Sequence, residues 1–248
     1  MRGYKFLHAG DMALVVEFGD GVDRKLNQKV LALAERIEQA KREGQLDGVI
    51  ETVPTFRSLM IYYEPLRIPE ATLTAHIEGL MKGLRLAAMS GRAWRLPVCY
   101  DASVAPDLEE VAYRTKLSPA QVIECHSAVT YHVYMLGFLP GQAYMGDVPA
   151  ALDLPRRESP RLKIPPGSLA ITMNMTCIFP LESPCGWHLI GRSPVRLWDS
   201  ERGGALLAPG DQVTFAPVSL REYEDLYIKA ATRALEIAPL AGHVGAAA

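Results

Sequence analysis

The sequence has little of what several classes of protein require, beginning with cysteine. Its 248 residues contain four cysteines, Cys99, Cys125, Cys177 and Cys185, and no two of them form a Cys-x-x-Cys pair. This number and spacing argue against a disulfide framework and against a structural zinc site. We therefore expect free thiols in a reducing compartment, and we assign no metal-ligating residues.

An excess of charge of one sign is also absent. The chain has 26 Lys and Arg against 28 Asp and Glu, a formal net charge of -2. Because nucleic-acid-binding modules concentrate basic residues on one face, this balance argues against a nucleic-acid partner. The amino terminus lacks an apolar signal-peptide core, and the next apolar run, Met12 to Val16, is too short to cross a bilayer. We expect a cytoplasmic protein with no membrane partner.

The common catalytic signatures are missing as well. The chain has no Gly-x-x-x-x-Gly-Lys-Ser/Thr loop, no Gly-x-Gly-x-x-Gly turn, no His-Glu-x-x-His helix and no Gly-x-Ser-x-Gly elbow. Any bound nucleotide must therefore be held by another arrangement.

Proline is present in quantity but unevenly placed, since three of the 18 prolines precede residue 91. Proline disrupts helices and central strands, so the second part should consist of short strands and turns. Between residues 136 and 210, ten prolines and nine glycines separate short apolar runs at 168–171, 177–179 and 196–198, and a further run follows at 212–215. The pattern is typical of a β-barrel, although long active-site loops would also produce it.

The first part alternates between strand and helix. Residues 12–18 predict a strand, and apolar residues at 26, 30, 33 and 37 predict a helix that follows Asp23 and ends near Gly44. Two more strands, at 48–53 and 57–63, precede a second helix from about Pro69. The order strand, helix, strand, strand, helix indicates a ferredoxin-like α+β sandwich.

The second part opens with a predicted strand at 94–100 and two short helices at 108–113 and 119–126, the latter capped by Ser118. Paired short helices also occur in DNA-binding proteins, but the second helix carries no Arg or Lys to contact phosphates. A last helix is expected over 222–237, followed by a frayed tail at 241–248.

Two features of the second part suggest chemistry. His126 has a side chain that moves protons near neutral pH, although a lone histidine is often structural. Arg156, Arg157, Arg161 and Lys163 lie within eight residues, with Pro160 among them and further prolines at 155, 165 and 166, which fix the backbone. Guanidinium groups pair with carboxylate or phosphate, so this basic run is either an anion site or a solvated surface.

Several segments, read together, follow one family pattern. Outside the middle of the chain these are 10–14, 53–59 and 208–213. The most specific matches are His126, 137–141, 144–146, 155–157, 160–161, 164–168, 180–184, 186–187 and 191–194. The chain resembles the small subunit of bacterial 5-oxoprolinase, known as its B subunit, and is similar to allophanate hydrolase subunit 1 and to the histidine-kinase inhibitor KipI.

The resemblance implies an α+β fold, with a ferredoxin-like α/β sandwich over 1–90, a cyclophilin-like β-barrel carrying the site over 91–225, and a C-terminal helix and tail over 226–248. It implies a larger homologous partner, of the type of the 5-oxoprolinase C subunit or of allophanate hydrolase subunit 2. The pair would open 5-oxoproline to glutamate using ATP with Mg²⁺, bound jointly. Phosphorylating the lactam oxygen creates a leaving group, and this step needs cations around the phosphates.

The resemblance also implies site residues. It gives catalytic roles to His126 and Arg161. Those that it places in substrate or nucleotide binding are Phe138, Pro140, Gly141, Tyr144, Arg156, Arg157, Thr176, Gly186, Trp187 and Arg192.

The chain departs from the family pattern at a few positions. Where the family has a glycine-rich run, residues 172–177 read Thr-Met-Asn-Met-Thr-Cys, and the two methionines add bulk. Gln142 stands where an aromatic residue is usual, Asp147 replaces part of a glycine pair, and Cys185 replaces a glycine. These changes leave two alternatives open: a non-catalytic regulatory protein of the kinase-inhibitor type, and a subunit of an allophanate or urea pathway.

Overall fold

The structure is a computed structural model that describes residues 3–84 and 91–240. The described chain divides into two compact units, one ending at residue 84 and the other beginning at residue 91. The predicted tail at 241–248 lies outside the described residues.

The first unit is a four-stranded antiparallel sheet with two helices. In chain order its elements are β1 Lys5–His8, β2 Ala13–Glu17, α1 Arg24–Arg42, β3 Val49–Pro54, β4 Ser58–Tyr63 and α2 Glu70–Met81. The strand order is β1-β2-β4-β3, and α1 packs against β3, β4 and α2. The predicted α+β class is confirmed.

Helix α1 begins where the sequence predicts, because Asp23 caps it. The Asp23 carboxylate accepts hydrogen bonds from the backbone N–H groups of Lys25 at 2.8 Å and Leu26 at 3.0 Å. Val30, Leu33 and Ile37 then form the buried stripe. Strand β1 escapes prediction because it is four residues long and mostly exposed, and it pairs through its backbone with β2 at the sheet edge.

Removing the cap should weaken this unit modestly. We expect Asp23→Ala to lower the free energy of unfolding by about 1 kcal/mol, because two N–H groups lose their acceptor. Asp23→Asn keeps a side-chain oxygen and should change stability by a few tenths of a kcal/mol at most. Urea denaturation of both variants checks this, and equal losses in both would show that the negative charge matters more than the cap.

The second unit is a barrel with added short elements. In chain order these are β5 Ala93–Cys99, α3 Leu108–Thr115, α4 Pro119–Ser127, β6 Tyr131–Leu136, β7 Ala143–Gly146, β8 Arg161–Ile164, β9 Ser168–Thr172, β10 Met175–Ile178, β11 Ser183–Cys185, β12 His188–Arg192, β13 Trp198–Asp199, β14 Gly204–Ala205, β15 Gln212–Val218 and α5 Leu220–Ala231.

Seven of these strands close the predicted β-barrel in the order β10-β7-β6-β15-β5-β12-β9. The β15–β5 pair is parallel, and the other neighbouring pairs are antiparallel. Strands β8 with β11 and β13 with β14 form two separate ribbons. The helices α3 and α4 pack against each other, and α4 contacts β15.

Two boundaries differ from the sequence prediction. Helix α5 ends at Ala231 rather than near residue 237, because Arg233 takes a left-handed backbone conformation with φ of 61°. The run at 196–198 contributes Trp198 alone to a strand, since β13 begins there. Within the ranges 3–84 and 91–240, none of the helices has the length and apolar character needed to cross a membrane.

Candidate functional site

His126 lies in the last turn of α4 and is completely buried inside the second unit. Its Nδ1 lies 2.9 Å from the Tyr100 hydroxyl and its Nε2 lies 3.1 Å from Thr176 Oγ1. The imidazole ring stacks on Phe215, with ring centroids 5.0 Å apart. The structure thus brings together two of the predicted site residues, His126 and Thr176, in the barrel interior.

The hydrogen bonds define the His126 tautomer. Thr176 Oγ1 donates to the carbonyl oxygen of Ala170 at 3.1 Å, so its remaining capacity toward His126 is as an acceptor. Nε2 therefore carries the proton, and Nδ1 accepts from the Tyr100 hydroxyl. Burial lowers the pKa of His126 to about 3, since the interior disfavours the charged ring. The imidazole is consequently neutral near pH 7.

Arg157 and Arg161 of the basic run are held by a buried carboxylate. Both oxygens of Asp107 accept from Arg161, at 2.8 and 2.6 Å, and Arg157 Nη1 lies 3.0 Å from Asp107 Oδ1. Asp107 is 2% exposed and also accepts from the backbone N–H of Leu189 at 2.7 Å. The pair raises the pKa of Arg161, whose guanidinium donates to that carboxylate.

Glu110 on α3 completes the ion-pair network. It lies 2.8 Å from Arg157, and this hydrogen bond holds the pKa of the Glu110 carboxyl below its usual range. Asp107 and Glu110 were not among the predicted site residues. Asp107 stands directly before α3, a position at which an aspartate usually caps the helix. Its side chain makes no capping hydrogen bond to α3 and is instead engaged with the two arginines.

Arg156 differs from its two neighbours. It is exposed and forms no ion pair with any residue in the part of the chain that the structure describes. Burial raises the pKa of Tyr144, and the positive charge of Arg156 acts against this rise. The two side chains therefore lie near one another. Arg156 therefore remains available to an anionic ligand.

Tyr144 also packs against Trp187. Their ring centroids lie 5.9 Å apart in an edge-to-face arrangement, and Phe179 meets the same indole at 6.3 Å. The backbone carbonyl of Gly186 accepts from the Arg157 N–H at 2.9 Å, which ties this aromatic group to the basic run. We call Tyr144, Arg156, Arg157, Arg161 and Trp187 the arginine–aromatic cluster.

Buried thiols lie beside the arginine–aromatic cluster. Burial raises the pKa of Cys177 well above its ordinary value, and the nearby Cys185 raises it further. Gln142 Nε2 lies 3.7 Å from Cys177 Sγ. Cys185 Sγ accepts from the Trp187 N–H at 3.2 Å, while His188 Nε2 lies 3.0 Å from the carbonyl oxygen of Pro155. Each of these groups thus has a structural contact of its own.

Some buried polar atoms of the same region have no hydrogen-bond partner among residues 3–84 and 91–240. They are Gln142 Oε1, Arg157 Nε, Ser183 Oγ and His188 Nδ1. A buried polar atom without a partner costs about 1–3 kcal/mol, so such atoms usually mark bound water or a functional requirement. These four atoms therefore support the arginine–aromatic cluster and its surroundings as the candidate site.

The loop at 137–141 begins beside the arginine–aromatic cluster, because a Cβ added at Gly137 would lie 3.9 Å from the Tyr144 ring. Phe138 has a φ of 69° and is 63% exposed, and the loop closes through a bond from the Gln142 N–H to Leu139 O. Gly141 takes a φ of 75° where an added Cβ would approach Leu197 O too closely, so this position requires glycine. Pro140 lies between these two positive-φ residues.

Arg192 donates from Nε to Pro166 O at 2.9 Å and lies over the Tyr227 ring at 5.9 Å. Within residues 91–240, these contacts do not join Arg192 to the arginine–aromatic cluster.

At residues 172–177, where the family pattern has a glycine-rich run, the chain forms a tight turn between β9 and β10. Met173 has a φ of 47° between β9 and β10 and is 47% exposed, whereas Met175 is buried. Asp147 has a φ of 73° and accepts from the Tyr134 hydroxyl at 3.1 Å.

The described residues do not by themselves fit a magnesium nucleotide. Two of the three cations at 156–161 are neutralised by Asp107 and Glu110, which leaves Arg156 for the phosphates. Across 3–84 and 91–240, no group of three or more His, Cys, Asp or Glu side chains could hold a metal ion. Further phosphate and metal ligands would have to come from elsewhere.

Comparisons with known proteins identify the family of the chain. The family model described as carboxyltransferase domain, subdomain C and D, matches residues 4–208. A Bacillus subtilis protein named as the B subunit of 5-oxoprolinase is 36% identical over 89% of this chain and 95% of its own length. An Escherichia coli O157:H7 protein of the same name is 36% identical over 84% of this chain and 93% of its own.

A solved structure, that of TTHA0988, superposes with a TM-score of 0.74 at 37% identity. The match covers 84% of this chain and 40% of that one. The chain therefore spans less than half of the solved chain that it matches.

Proposed function

Because the chain belongs to the family of carboxyltransferase domains, subdomain C and D, which includes the bacterial 5-oxoprolinase B subunits, we propose that it is the smaller subunit of an ATP-dependent amidohydrolase. The proposed substrate is 5-oxo-L-proline, which the enzyme opens to glutamate with ATP and water. The proposed partner is larger and homologous, of the 5-oxoprolinase C-subunit type.

The match over 95% of the length of a B subunit is the observation that carries this proposal. The geometry of the arginine–aromatic cluster supports it, since within residues 91–240 the cluster offers one available cation, Arg156, and one buried donor without a partner, Arg157 Nε, rather than a complete nucleotide site. A second subunit would supply the missing groups. The 40% coverage of TTHA0988 is in keeping with this, because that solved chain continues well beyond the matched part.

The reaction explains what the cluster has to provide. A lactam carbonyl is a poor electrophile, and phosphorylating its oxygen converts that oxygen into a leaving group. Charge on the transferred phosphoryl group must be stabilised by positioned cations. In our proposal, Arg156 supplies one of them to the phosphates or to the substrate carboxylate, and Tyr144 and Trp187 form the adjoining apolar wall.

The structure suggests positioning roles for the two predicted catalytic residues. Arg161 is engaged with Asp107 through two hydrogen bonds, so we propose that it holds the segment carrying Arg156. His126 is buried and neutral, so we propose that it fixes Thr176 and the adjoining strand β10.

The test is reconstitution of the chain with its candidate partner. We expect ATP hydrolysis that depends on 5-oxoproline, with Arg156→Gln lowering kcat/KM by about 100-fold, the scale for losing one charge-stabilising donor. Lys163→Gln is the matched control, because Lys163 is 70% exposed and pairs with Glu182 at the surface. Its activity should stay near that of the wild type.

Two results would count against the proposal. A complex that forms but hydrolyses no ATP with 5-oxoproline would overturn the substrate assignment. Equal activities for Arg156→Gln and Lys163→Gln would remove Arg156 from the site while leaving the reaction in place.

A further inference from the structure

A cavity of about 230 Å³ lies at the carboxyl-terminal end of α5, apart from the arginine–aromatic cluster. Its walls come from the residue before β5, the segment 195–196, the β13–β14 ribbon, the end of α5 and the segment that follows that helix. The backbone N–H of Leu240 donates to Ala93 O at 2.7 Å and fixes that segment to β5. We call this the helix-end cavity.

Three guanidinium groups line the helix-end cavity: those of Arg92, Arg196 and Arg233. Arg92 lies 2.9 Å from the buried carboxylate of Asp211. Arg233 pairs with Glu201 and lies 3.8 Å from Asp199. Each of these two cations therefore has a carboxylate partner.

Arg196 has a different environment. Its one hydrogen bond is from Nη2 to the carbonyl oxygen of Ala231, at 3.4 Å, and no carboxylate in the described ranges pairs with it. A guanidinium carries five N–H donors, and two parallel ones match the two oxygens of a carboxylate. The pKa of the Glu201 carboxyl is lowered mainly by Arg233 and to a smaller extent by Arg196, so Glu201 acts on Arg196 from a distance. Within residues 91–240, Arg196 is thus the cation of the wall that makes no direct contact with a carboxylate.

The rest of the lining is mixed, because the Asp199 carboxylate, 3.8 Å from Arg233, also lies in the wall beside several apolar side chains. Val195, Leu206, Ala230, Leu235 and Ile237 contribute to its lining. The volume lies below the range of about 300–1,000 Å³ that is typical of sites for drug-sized ligands. Inorganic phosphate would leave the apolar part of the lining uncovered.

We propose that the helix-end cavity is a binding site for a small monocarboxylate with a short aliphatic body, its carboxylate paired with Arg196. The aliphatic part packs against the apolar lining, which removes that surface from water. The proposal does not depend on the reaction proposed above, because the helix-end cavity shares no residue with the arginine–aromatic cluster.

Isothermal titration calorimetry of the full chain tests this with pentanoate as the probe. We expect saturable binding with a Kd below about 1 mM, within reach of a ligand of this size. Pentylammonium has a similar body with the opposite charge and should not bind measurably. Inorganic phosphate should bind more weakly than pentanoate. Failure to saturate, or equal binding of either comparison ligand, would overturn the proposal.

Variants locate the site. Arg196→Gln should weaken pentanoate binding by at least about tenfold, because a charged hydrogen-bond donor is lost. Arg221→Gln is the matched control, since Arg221 is exposed in the first turn of α5, at the opposite end of that helix. Pentanoate binding unchanged in Arg196→Gln would refute the assignment.

A second variant leaves the charges intact. Ala205→Leu places a larger apolar side chain on the wall of the helix-end cavity and should also weaken binding. Thermal unfolding of each variant shows that the chain is folded before titration. Wild-type affinity in a folded Ala205→Leu chain would place the ligand outside this cavity.

Discussion

Replacing Asp107 by asparagine should lower the free energy of unfolding by about 3–5 kcal/mol, the cost of breaking a buried ion pair from one side. Asp107 is 2% exposed and receives hydrogen bonds from Arg157, Arg161 and the Leu189 N–H. Asparagine has one acceptor oxygen and no charge, so Arg161 would lose its carboxylate partner and Arg157 would keep only Glu110. Urea denaturation at neutral pH measures the loss.

Glu110→Gln provides the matched comparison. Glu110 contacts the same Arg157 at 2.8 Å, but its side chain is 43% exposed. Water therefore replaces much of that interaction, and we expect a loss of less than about 1 kcal/mol. Similar small losses for both variants would mean that water reaches Arg157 and Arg161 and that Asp107 does not anchor them.

The Asp107 network also shows why part of the site escaped sequence analysis. Asp107 precedes Arg157 by 50 residues and Arg161 by 54. Nothing local to the basic run indicates that two of its cations are neutralised, since ion pairs of this kind are made by tertiary packing. The sequence therefore indicated where the cations cluster, but not which of them remain available.

Local rules predicted more of the fold. Asp23 at the start of α1 and Ser118 at the start of α4 both make the capping bonds expected of their residue types. The high density of Pro and Gly after residue 136 predicted the short strands of the barrel. The order of the strands around the barrel could not be predicted from such local rules, because β5 pairs with β15 across more than 100 residues.

For His126 the position in a helix could be predicted from the sequence, but its contacts could not. Its place at the end of α4 was predicted, and the family resemblance singled it out. Its partners, Tyr100 and Thr176, lie 26 and 50 residues away in sequence. The burial that sets its protonation state comes from the closed barrel, so its environment could not be foreseen from neighbouring residues.

Acid should destabilise the chain through His126. Its pKa is about 3 in the folded state, against a reference value of 6.5. The unfolded chain therefore binds a proton between these pH values that the folded chain does not, and stability falls as pH is lowered. The expected slope from this residue is about 1.4 kcal/mol per pH unit, which amounts to about 5 kcal/mol from pH 6.5 to 3.

His126→Gln isolates this contribution, because glutamine retains polar atoms but does not titrate. The variant should be less stable than the wild type at pH 7, and the difference should shrink as pH falls, since only the wild type has a buried ring that resists protonation. Chemical denaturation at several pH values measures both curves. A constant difference from pH 7 to pH 4 would contradict the expected effect.

His76→Gln serves as the comparison for His126→Gln. His76 lies exposed on α2, so its replacement should leave the free energy of unfolding at pH 7 within about 0.5 kcal/mol of the wild type. If His126 behaves as expected, a group that stays neutral down to about pH 3 is not the base that titrates near neutrality in turnover. Its replacement would then lower the rate without moving the pH optimum, which is the behaviour of a positioning residue.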